Sequence, residues 1–129
     1  AIDCFDRAIA LEPDGFVALR FGTIRAFSLG DLDNARRLHR TLEESRRSWT
    51  RYDPESSYLI AASCGLLGDR DGCVRWLRRT VEDGFFNYPA MVKEPFLDAV
   101  RDDPEFQQVL ALAREKHENF KKTFALKMP

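Results

Sequence analysis

The sequence has no C-x-x-C pair, and its three cysteines, Cys4, Cys64 and Cys73, leave an odd one over. That suits reduced thiols better than a disulfide framework, and reduced thiols are expected. Long apolar runs are missing too: the longest, around Tyr58 to Leu67, is roughly half the ~20 residues a bilayer-spanning helix requires. No basic-then-apolar leader opens the sequence as given, so the expectation is a soluble, cytoplasmic protein with no membrane partner. Charge of one sign is also lacking. Twenty basic residues face twenty-one acidic ones for a net charge of −1, so no overall field would draw the chain to nucleic acid. The seven glycines are scattered singly; there is no phosphate-cradling loop and no G-x-S-x-G elbow. His39 and His117 each stand without a second histidine nearby, and no histidine or carboxylate lies at metal-ligand spacing from Cys64 or Cys73. The expectation is therefore no metal, no cofactor and no catalysis.

What is present is the balance of a globular domain, 44% hydrophobic and 32% charged over 129 residues, enough for a core of its own. Two segments repeat, Ser28-Leu29-Gly30-Asp31-Leu32-Asp33 and Leu66-Leu67-Gly68-Asp69-Arg70-Asp71, with their glycines 38 residues apart. Each is flanked on both sides by about a dozen helix-favouring residues, and each predicts a helix–turn–helix unit. The glycine can take the left-handed conformation that ends one helix, and the aspartate after it can accept N–H bonds at the start of the next.

Ala1, Phe5, Ala8 and Pro13 in AIDCFDRAIALEP match the A-x3-F and terminating proline of a tetratricopeptide second helix. One 34-residue period from Ala1 lands on Ala35, and the corresponding place after Gly68 is Cys73. The chain thus resembles the tetratricopeptide repeat family over residues 1–84. The first helices depart from that pattern, offering Leu19, Gly22-Thr23 and Ala26, then Ser57, Ile60-Ala61 and Cys64. The resemblance implies an all-α fold, an α-α superhelix or solenoid of antiparallel helix pairs. Residues 1–14 would be the second helix of a truncated repeat, 15–48 and 54–84 two full repeats, and 85–129 a C-terminal cap. The segment GFFNYPAMVKEPFLDAVRDDPEFQQVL also resembles the closing run of bacterial tetratricopeptide arrays, whose last helix hides the open apolar face of the terminal repeat. In that run, 85–94 predicts an irregular stretch with at most a short helix, and 95–100 a turn or two of helix. Asp103-Pro104 predicts the cap and first turn of a long amphipathic helix with one apolar stripe, Phe106, Val109, Leu110, Ala113, His117, Phe120 and Phe124.

Because Ala1 begins partway through a hairpin, the chain is expected to be a fragment, the C-terminal piece of a longer protein. The face of Ile2, Phe5 and Ala8 would then be covered by another copy of the chain, giving a homodimer. Cys64, Cys73, His39 and His117 are expected as packed residues. Arg36, Arg37, Arg40, Arg46, Arg47 and Arg51 crowd one stretch beside Trp49 and Tyr52, a pattern that can track phosphates. The repeat register instead places Arg37 with Arg75 and Arg40 with Arg78 on an outer face, with Glu44 and Glu82 four residues on for local ion pairs.

Family resemblance implies that the first helices line a concave surface suited to an extended peptide or a partner helix. The residues expected there are Arg20, Phe21, Ile24, Phe27 and Ser28 from one repeat, with Tyr58, Leu59, Ala62 and Leu66 from the next. The lysine and asparagine of a carboxylate clamp are absent from those helices. The function expected is a non-catalytic protein-interaction scaffold. The alternative is a regulatory tail behind an upstream kinase, cyclase or transcription regulator.

Overall fold

The computed structural model describes residues 15–46 and 54–127, together with Cys4, Asp6, Arg7 and Ala10. The described residues contain helices and no strand, so the fold is all-α. They fall into two compact units, 1–52 and 53–129.

In the first unit, α1 (Phe16–Ser28) and α2 (Leu32–Arg46) pack on one another across a three-residue connection. The chain must reverse to do this, making an αα-hairpin. The connection is hydrogen-bonded throughout. Gly30, at φ +78°, donates to the Phe27 carbonyl at 3.0 Å, and Asp31 donates to that of Ala26 at 2.9 Å. This is the Schellman closure of a helix C-terminus, which needs the left-handed residue that glycine supplies. Asp31 then turns its carboxylate to the Asn34 N–H at 3.3 Å, so one residue closes α1 and caps α2. Ala18, Leu19, Ala26, Ala35, Leu42 and His39 are buried. Of the N-terminal segment, Cys4, Asp6, Arg7 and Ala10 are helical and exposed; Ile2, Phe5, Ala8 and Pro13 lie outside the described residues. Asp6 pairs with Arg25 at 2.7 Å, an exposed contact of small energetic weight.

The second unit repeats the device and then adds to it. Helices α3 (Pro54–Leu66) and α4 (Arg70–Glu82) pack together. Gly68, at φ +77°, donates to Gly65 at 3.1 Å and Asp69 to Cys64 at 2.9 Å. The Asp69 carboxylate accepts from Gly72 N–H at 3.0 Å. A third copy of the closure follows α4, where Gly84, at φ +109°, donates to Val81 at 3.2 Å and Phe85 to Thr80 at 3.0 Å.

Helix α5 (Tyr88–Lys93), a 3-10 helix (Pro95–Val100) and α6 (Pro104–Lys127) complete the unit. The 3-10 helix packs on α3, and α6 on both α4 and α5. Arg101 staples this run. Its guanidinium donates to the Asp98 carboxylate at 2.7 Å, to the Met91 carbonyl at 3.3 Å and to the Glu94 carbonyl at 2.7 Å. Asp103 caps α6 through the N–H groups of Glu105, at 2.9 Å, and Phe106, at 3.3 Å. Ile60, Leu77, Val81, Met91, Leu97, Val100 and Phe106 are fully buried and form the core.

One expectation needs correcting. The stripe on α6 is not buried along its length: Phe106, Val109 and Ala113 are enclosed, whereas Phe120 and Phe124 stand 57% and 55% exposed. A 24-residue helix extends about 36 Å at 1.5 Å per residue, while the 13 residues of α4 give it only about 20 Å to pack on.

Candidate partner-binding surface

The residues singled out on the first helices differ in what they offer. In the first unit, Arg20, Phe21, Ile24 and Phe27 are half-buried and Ser28 is exposed. They follow the spacing of one helix side, while Ala18, Leu19, Gly22, Thr23 and Ala26 form the buried side. Thr23 spends its hydroxyl on the Leu19 carbonyl at 2.8 Å, which lets a polar side chain sit at full burial.

In the second unit, Leu59 and Leu66 are half-buried, but Ala62 and Tyr58 are buried. The Tyr58 ring lies 5.1 Å from that of Phe85, tilted by 34°, an arrangement of favourable aromatic packing. Tyr58 therefore holds the turn after α4 in place. Sequence spacing could not foresee this, because Phe85 reaches Tyr58 only through the Gly84 reversal.

Of the candidate reactive groups, Cys64, Cys73 and His39 are packed, whereas His117 is half-buried. Cys64 and Cys73 are buried and Cys4 is exposed. Burial, with Asp69 and Asp103 close by, pushes the Cys73 thiol up to about 12 from an ordinary 9.0. A thiol so shifted is protonated at neutral pH and is a poor nucleophile. His39 is 4% exposed, and its Nε2 lies 2.9 Å from Glu43 Oε1 one turn along the same helix.

The basic side chains of the second helices face outward, with Arg36, Arg37, Arg40, Arg75 and Arg78 exposed. Among the described residues the expected pairs Arg40–Glu44 and Arg78–Glu82 do not form. Arg37 donates to the neutral Asn34 side chain at 2.6 Å, and the ion pair in α4 is Arg79 with Asp83 at 3.8 Å. Arg79 also lies 5.9 Å from the Trp76 ring centre. Trp49, Arg47, Arg51 and Tyr52 lie outside the described residues. No helix among the described residues is long and apolar enough to cross a membrane. No family model, curated protein or solved structure matches the chain.

Proposed function

We propose that this chain is a non-catalytic interaction module of tetratricopeptide type, one that binds an extended peptide or helix of a partner protein. The observation that carries the reading is the recurrence of one hairpin design, Leu-Gly-Asp with the same closure and cap, at Gly30 and Gly68. The tight second-helix position holds Ala35 and Cys73, both fully buried. Recurrent hairpins that stack turn one side of their second helices outward and offer their first helices to ligands on the inner, concave side. On this reading Phe21, Ile24 and Phe27, with Arg20 as a cation, offer apolar contact on the first unit and Leu59 and Leu66 on the second, while Tyr58 acts indirectly by holding Phe85.

The test is titration of a partner purified on the wild-type module against a Phe21→Ala, Leu59→Ala double variant. A loss of about tenfold or more is expected if these side chains are anchors. Unchanged affinity, with retained helical content, assigns the partner to another face.

A further inference from the structure

Helix α6 changes character partway along. Up to Ala113 its apolar stripe is enclosed; about two and three turns later the same stripe emerges as Phe120 and Phe124, each more than half exposed. Their rings stack 6.2 Å apart at 15°, and Phe86 meets Phe120 edge-on at 6.0 Å. Between α6 and the turn after α4 runs a groove of about 340 Å³, lined by Phe85, Phe86, His117, Phe120 and Lys121 among others. Contiguous exposed aromatic surface on a soluble-type helix marks a binding face more often than a solvated end.

The charges around this groove are sorted. At about 100° per residue, Lys116 falls on one flank of Phe120 and Lys121 and Arg114 on the other, while Glu115, Glu118 and Lys122 project from the far side of the helix. Lys116 reaches back to the Val81 carbonyl at 3.4 Å, and Arg114 lies 6.0 Å from the Tyr88 ring. In the adjoining turn, Asp83 is paired with Arg79. The face presented is an apolar cleft with cationic borders.

We propose that this cleft on the distal part of α6 docks an amphipathic helix of another protein, one with a large apolar side chain for the groove and carboxylates along the flank that meets Lys121 and Arg114. The apolar insertion supplies affinity, and the rim carboxylates opposite Lys121 and Arg114 set orientation and association rate. A second copy of this chain fits less well, because a two-fold interface brings each surface patch against itself and would set cations against cations. A lipid surface would engage the same exposed rings, and the vesicle arm of the experiment separates it from a protein helix. The face shares no residue with the first-helix surface.

The experiment is display selection on the full chain from a library of amphipathic helices with randomised flanking charges, with subtraction on a Phe120→Ala, Phe124→Ala double variant. Both side chains are largely exposed, so the variant should keep the wild-type helical signal and melting profile. Enriched sequences are expected to carry Asp or Glu along one flank. The best of them, made as a peptide, should lose about tenfold in affinity against the double variant and again against Lys121→Glu. It should keep its affinity for Phe21→Ala, Leu59→Ala. Flanks without acidic bias, or no clone that discriminates the variant, would overturn the proposal. A dimer that the double variant dissolves, seen by light scattering, would give the face to a second copy. Sedimentation with phosphatidylserine vesicles that the variant loses would give it to a membrane. Binding abolished by Phe21→Ala, Leu59→Ala would move the site to the first helices.

Discussion

The two hairpins use one turn and reach different surroundings. Three residues before the turn glycine, the first carries Phe27, half-buried, and the second carries Gly65, fully enclosed. A Cβ built on Gly65 would run into the carbonyl of Phe96. The 3-10 helix that packs on α3 occupies with its backbone the space a side chain would have taken. The second helices differ in the same sense: where α2 has exposed Arg36 and half-buried Glu43, the equivalent positions of α4 are the buried Val74 and Val81. Helix α4 has α6 as a second neighbour. Turn chemistry is thus local and repeated, whereas side-chain size and polarity record what each hairpin meets beyond itself.

The sharpest way to break this comparison is to give the second hairpin a side chain like the first. Gly65→Ala should cost about 1–3 kcal/mol, since the obstacle is backbone and cannot swing aside. Urea unfolding would measure the loss, and amide exchange should show it concentrated in α3 and the 3-10 helix. Phe27→Ala, the shortening at the matching position, should cost less than that, because its ring is only part-buried. Equal costs at the two positions would mean that the C-terminal segment does not close against α3 as described.

A second prediction sharpens what the hairpins share. Gly30 and Gly68 have left-handed φ values of +78° and +77°, and a Cβ at either would meet nothing within 4 Å. Alanine therefore brings conformational strain alone, about 1–2 kcal/mol at each. The two variants should lose the same stability within error. A clear difference would show that one turn carries a tertiary load that the other lacks.

These features divide by how far they reach along the chain. The turns were legible because glycine and aspartate act on backbone groups only a few residues away. So were the short helical turn at 95–100, seen as the 3-10 helix, and the Asp103-Pro104 start of α6. The Arg101 staple and the packing of Phe85 on Tyr58 were not, since each joins groups from separate elements. The enclosure of Gly65 was not legible, since Phe96 lies thirty-one positions away and nothing in Cys64-Gly65-Leu66 names its neighbour. Nor was the point at which α6 leaves its support, because the stripe keeps one period from Phe106 to Phe124 while the underlying helix ends. The first-helix surface shows the same limit: periodicity marked Tyr58 as a lining residue, and Phe85 had already claimed its ring.

The smallest expected effect separates Ala35 from Cys73, which hold the same position in their hairpins. Alanine does not titrate, but the Cys73 thiol is raised from 9.0 to about 12 by burial first and by Asp69 and Asp103 second. In the unfolded chain this thiol ionises above pH 9, whereas in the fold it keeps its proton. The unfolded state therefore binds fewer protons over that window, and stability must fall as pH rises from about 9 toward 12. By pH 10 the loss attributable to Cys73 should be on the order of 1 kcal/mol. Lysines and tyrosines titrate in the same range, so the measurement is the difference between the wild type and Cys73→Ala, followed by urea unfolding at pH 8 and pH 10. The wild type should lose more than the variant over that interval. Parallel losses would mean that Cys73 ionises as readily in the fold as outside it, and that the interior between α3 and α4 admits water where Ala35 and its neighbours do not.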